Sequence, residues 1–131
     1  MSSGSAVSLS ALVIALTVAG AATLQGQMKV DTVAAARGKK VWNSKQCSGC
    51  HELGRTQSTG PDLIGVTDRR SAAWLRKWLK DPVEMANEDS TAMALKKQFN
   101  SQMPNLKLMN EEVEALINFL AQQTQEHRAG K

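Results

Sequence analysis

Cys47-Ser48-Gly49-Cys50-His51 is the segment of this chain where side chains able to do chemistry crowd together at a meaningful spacing. Both cysteines fall there, and a histidine follows the second directly. Two thiols separated by two residues can each add to one vinyl group along a single edge of a porphyrin. The adjacent imidazole then points at the iron, and Gly49 eases the tight backbone that this requires. C-x-x-C-H is therefore read as a covalent haem-attachment signature.

Other uses of two close cysteines fit the rest of the chain less well. A structural zinc site needs four protein ligands. Only His127 remains as a further soft ligand, and the neighbours Cys50 and His51 are poorly placed to hold one ion together. A thioredoxin-like redox pair belongs at the start of a helix in a βαβ setting, and no segment reads as a strand. A plain disulfide gives His51 no role.

Haem iron bound by one histidine has a second axial position to fill. Most of the 6 methionines are expected to fill core gaps, the usual work of this adaptable side chain. Met1 and Met28 lie outside the expected domain, Met85 follows a helix break and Met93 sits within an expected helix. Met109 precedes Asn110, where an apolar residue packs back onto the helix as a staple. Met103 is left. Pro104 holds it in extended backbone and donates no N–H, which suits a loop lying against a flat cofactor. Met109 is its main rival, with His127 a distant third. A thioether favours ferrous iron and a filled sixth position leaves no open site, so the pair His51 and Met103 points to electron transfer.

The elements that must position these residues read as helices. Asp31 or Thr32 caps one bearing Ala34, Gly38, Val41 and Trp42 on a shared face. The loop from Gly54 to Gly65, rich in Gly and holding Pro61, is no regular helix. Ser71 caps a helix with Trp74, Leu75, Trp78 and Leu79 on one side, ended by Asp81-Pro82. A third helix is expected from Asn87 to Phe99, with Glu88 and Asp89 in its first turn, Lys96 and Lys97 in its last, and Ala92, Leu95 and Phe99 buried. Asn110 caps a last helix carrying Val113, Leu116, Ile117 and Leu120. About four helices and no strand make an all-α domain.

Residues 6–24 are apolar, and Ala19-Gly20-Ala21 offers small residues for cleavage, so 1–24 reads as an export signal. The run is also near the roughly 20 residues that span a bilayer, and an uncleaved membrane anchor is the alternative. Residues 25–32 then form a linker, 33–124 the haem domain and 125–131 a polar tail. Either reading of the front places the domain outside the cytoplasm, in a periplasm or on the outer side of the membrane. With only 2 Phe, 3 Trp and no Tyr in 131 residues, a cofactor filling the middle would complete a thin core. The net charge of +4 favours acidic partners. No basic arm, finger spacing or aromatic RNA-binding signature points to nucleic acid. Arg69, Arg70, Arg76, Lys77 and Lys80 form one basic cluster; Arg37, Lys39, Lys40 and Lys45 form a second.

Across residues 34 to 122 the chain resembles the small monohaem class I cytochromes c. Gly38-Lys39-Lys40-Val41-Trp42 is similar to that family's first helix, and Leu116-Ile117-Asn118-Phe119-Leu120 to its partner in the last. The resemblance implies a contact between Gly38, Trp42 and Phe119. Gly60-Pro61-Asp62-Leu63 resembles the loop whose Pro carbonyl accepts the proximal imidazole proton. A Met-Pro before the last helix is also a family feature, and an aromatic such as Trp74 or Trp78 donates to a haem propionate in relatives. The expectation is thus a class I cytochrome c fold around one covalent haem c. It would be matured by haem-attachment machinery and carry single electrons between redox proteins of a respiratory or related chain. A haem-bearing subunit of a larger oxidoreductase is the alternative, as is a gas-binding haem protein should the sixth position be open.

Overall fold

The computed structural model describes Met1, residues 28–55 and residues 58–131. The expected export signal or anchor at 1–24 lies, apart from Met1, outside the described residues. Among those described there are helices and loops with no strand: α1 (Thr32–Ser44), α2 (Val66–Arg69), α3 (Ala72–Lys80), α4 (Pro82–Glu88), α5 (Ser90–Phe99) and α6 (Asn110–Ala129), with one 3₁₀ turn at Cys47–Gly49.

The frame is the pair α1 and α6. Asp31 begins α1 by accepting the N–H groups of Val33 and Ala34 at its carboxylate, satisfying donors that a helix start leaves unpaired. Asp31 rather than Thr32 is thus the cap. Gly38 lets the two helices touch: a Cβ there would fall on the Ala115 carbonyl and within 2.7 Å of Phe119 Cβ. Trp42 and Phe119 complete the contact at a ring separation of 5.7 Å. The stripe Val113, Leu116, Ile117 and Leu120 is buried on α6 and joins Trp42, Leu75, Leu79 and Leu108 in one core.

The chain around α4 and α5 departs from expectation. One helix was expected from Asn87 to Phe99, but two are present, meeting at Asp89. Pro82 is compatible with the first turn of a helix, where its missing N–H costs nothing, so α4 begins at the proline that ends α3. Asp81 caps it through Glu84 N–H. Asp89 then takes extended backbone and accepts Ala92 N–H, capping α5 instead of lying within it. Of the expected stripe only Ala92 is fully buried; Leu95 and Phe99 are half-buried. The short α2 was not expected either.

The start of α6 also differs from expectation. Met109, not Asn110, is the capping residue, and Glu112 Oε2 accepts its N–H at 2.8 Å. Met109 is 56% exposed and so does not staple onto the helix. At the other end α6 runs to Ala129, so most of the segment 125–131 is helical.

Candidate functional site

The 3₁₀ turn at Cys47–Gly49 follows α1 closely, and the backbone N–H groups of Cys50 and His51 both donate to Cys47 O. That tight turn brings Cys47, Cys50 and His51 to the wall of one cavity of about 200 Å³. Trp42, Pro61, Leu63, Trp74, Trp78 and Met103 line the same cavity. Here the expected attachment residues, axial ligands and pocket residues come together. Gly38 and Phe119 are not on this wall; they belong to the helix contact behind it. Met109 and His127 are not among the lining residues, so neither rival of Met103 shares the cavity.

His51 is held in one tautomer. Its Nδ1 lies 2.9 Å from Pro61 O, and a carbonyl can only accept, so Nδ1 carries the proton and Nε2 keeps its lone pair. Burial pushes the imidazole below its ordinary range, with the Pro61 bond opposing, a direction that favours the neutral ring a metal ligand requires. Gly60 makes the approach possible, because a Cβ there would come within 2.7 Å of His51 Cε1. Burial likewise raises the Cys47 thiol, and Cys50 adds to the effect.

Several residues that fix this geometry were not singled out in the sequence. Asp62 Oδ1 accepts from Gly54 N and Ile64 N, closing the loop around Pro61. Arg69 donates to Ile64 O at 2.7 Å and Asp62 O at 3.2 Å, clamping the backbone that follows Pro61. Thr124, 2% exposed, accepts from Gly65 N and donates to Leu120 O. Its signal was available: Thr124 extends the α6 stripe one turn beyond Leu120. Asp62 and Arg69 carried no such signal, since a loop carboxylate and one arginine of a basic run are ordinary surface residues.

The two tryptophans stack, with centroids 5.5 Å apart and planes 12° from parallel. Arg70 lies over Trp74 at 5.4 Å. Trp74 Nε1 is buried and makes no hydrogen bond of good geometry. Asp89 lies nearby, its carboxyl held below the usual range mainly by Ala92 N–H, with the Trp74 indole and Arg70 adding to the effect. The basic cluster is less free than its sequence suggests. Arg69 clamps the loop, Arg70 covers Trp74, Arg76 pairs with Glu114 and Lys80 donates to Leu108 O.

Residues 35–124 match the family model for cytochrome c. The chain belongs to the cytochrome c family. Its fold is the all-α class I cytochrome c fold. It superposes on a cytochrome c from Rhodothermus marinus with a TM-score of 0.70 at 24% identity, covering 75% of this chain and 83% of that one. It is 41% identical to the cytochrome c domain of the pp3183 protein from Pseudomonas putida, with a TM-score of 0.61 and coverage of 70% and 92%. No curated protein matches the chain. The family binds covalent haem c, and this cytochrome c suits it on its own geometry: an apolar cavity lined by both cysteines, and a His51 imidazole whose Nε2 keeps its lone pair. Family and fold support haem-based electron transfer.

Proposed function

We propose that this chain is an exported carrier of single electrons, with Cys47 and Cys50 bonded to haem c and with His51 and Met103 as its two axial ligands. The observation that carries this reading is that one cavity gathers all four residues, although Met103 lies far along the chain from the other three. Haem c supplies a one-electron ferric/ferrous couple. Pro61 orients the His51 ring and fixes its proton on Nδ1, which makes Nε2 the better ligand. Met103 closes the sixth position, favouring electron transfer over binding of gas or substrate. Leu63, Trp74 and Trp78 exclude water and support the pocket; Trp74 Nε1, buried near the Asp89 carboxylate without a well-formed hydrogen bond, is the donor suited to a propionate.

The location proposed is the periplasm or the outer side of the membrane, with the apolar segment 6–24 as export signal or anchor. No helix among the described residues is long and apolar enough to cross a membrane. The partners proposed are redox proteins with acidic docking faces, drawn by the net charge of +4 and by Lys39, Lys40, Lys77 and Lys96. Their association rates then fall steeply with ionic strength. The alternative, a haem module of a larger oxidoreductase, has one observation in its favour: the similar Pseudomonas putida structure is described as a domain of a protein.

The test is to mature the full chain with haem-attachment machinery and record its mass and its oxidised spectrum. The expected result is one covalently retained haem and a weak far-red sulfur-to-iron band that Met103→Ala removes. An apoprotein mass and a colourless product would overturn attachment at Cys47 and Cys50. A band that survives in Met103→Ala would overturn the axial assignment.

A further inference from the structure

We propose that Gln102 is the positioning residue for Met103, setting how firmly the sixth iron position is closed to outside ligands; this rests on the reading of Met103 as the second axial ligand. Met103 stands on a helix-free stretch between α5 and α6. The later part of that stretch is tied from outside, by Lys45 donating to Leu106 O and Lys80 donating to Leu108 O. Around Met103, the hydrogen bonds among the described residues run through one side chain. Gln102 Nε2 donates to Met103 O at 3.0 Å and to Pro82 O at 3.2 Å. It thereby pins the peptide of Met103 to the start of α4.

The amide can face only one way. Both acceptors are carbonyl oxygens, which cannot donate, so turning the amide over would set oxygen against oxygen twice. As a result Gln102 Oε1 is buried with no partner, and Gln102 lines the same cavity as Met103. A buried acceptor without a donor is seldom tolerated. Holding two carbonyls at once is the gain that offsets it, and it distinguishes the two roles Gln102 could have. If Gln102 merely stabilised the fold, an apolar side chain of similar size would cost little, since relief of the orphaned oxygen offsets the donor that the Met103 and Pro82 carbonyls lose. If it positions Met103, the same replacement loosens the ligand while leaving overall stability little changed.

The experiment uses the haem-loaded protein and imidazole, which competes with Met103 for ferric iron. Imidazole affinity, the far-red band and the thermal midpoint are measured for wild type, Gln102→Leu, Met103→Ala and Asn87→Ala. The last removes a side-chain bond within α4, to Val83 O, that does not reach Met103. Gln102→Leu is expected to keep the band and bind imidazole about tenfold more tightly, the factor appropriate to one or two neutral hydrogen bonds. Its thermal midpoint should stay near that of wild type, and Asn87→Ala should bind imidazole as wild type does. Unchanged imidazole affinity in Gln102→Leu, beside tighter binding and a lost band in Met103→Ala, overturns the role of Gln102 alone. A Met103→Ala protein that keeps both the band and wild-type affinity overturns the axial reading and this proposal with it. Should the leucine variant fail to mature, Gln102→Glu carries the same test, since it keeps the length but sets a carboxylate against both carbonyls.

Discussion

The two walls of this molecule are built differently. Behind the cavity, α1 and α6 meet at Gly38 and Phe119, which lie outside its lining, while Trp42, Leu116 and Leu120 reach from that contact to the cavity wall yet are each almost fully buried by protein. In front, α5 packs closely on α4 and on no other helix to a comparable extent among the described residues. Its apolar side chains Leu95 and Phe99 are half-buried and turn toward the cavity. One wall satisfies its own apolar surface, whereas the other leaves that surface to whatever fills the cavity. Hydrophobic burial is the dominant favourable term in folding, so the front wall depends on the haem far more than the back wall does.

The largest expected effect compares the chain with and without haem. In haem-free protein, obtained by expression without attachment machinery, the amides of α5 should exchange hydrogen at nearly unprotected rates. Those of α1 and α6 should keep measurable protection, because locally stable units open separately. Equal loss of protection in all three would erase the distinction. Next in size is Gly38→Ala. The new methyl must push the Ala115 carbonyl away, and the helix pair should lose about 3 kcal/mol, the upper end for overpacking. Denaturant unfolding of the haem-loaded protein measures it; a loss well below 1 kcal/mol would mean that the pair can open cheaply.

The finest comparison sets Ile117→Ala beside Leu95→Ala. Ile117 is 2% exposed and lies outside the cavity lining, and its truncation should cost about 2–5 kcal/mol in the haem-loaded protein. Leu95 is half-buried and faces the cavity, so its truncation should cost about 1 kcal/mol. Its main effect should be on the Soret envelope and on how readily imidazole enters. Should Leu95→Ala destabilise as much as Ile117→Ala and leave the spectrum untouched, the front wall is ordinary core.

Much of this arrangement was legible in the chain. C-x-x-C-H has few other uses, since covalent attachment requires those residue types at that spacing. The 3.6-residue stripes of α1, α3 and α6 fell on the faces turned to the core or the cavity, because apolar periodicity marks the side of a helix that leaves water. The split at Asp89 was less legible. Asp89 suits the first turn of a helix as well as its cap, and only its extended backbone decides for the cap. Met109 misled for a similar reason: an apolar residue before a helix reads as a staple, yet here it is exposed and Glu112 supplies the cap bond.

The sequence by itself determined the chemistry, the helical class and the frame in which Gly38 lets two helices meet, because those depend on local residue types and on periodicity. Tertiary structure decided which methionine shares the cavity with His51, which way the His51 proton points, and that Asp62, Arg69, Thr124 and Gln102 hold the loops. Each of those depends on groups far apart in the chain arriving within a few ångströms, and hydrogen bonds of that kind leave no periodic trace in the order of residues.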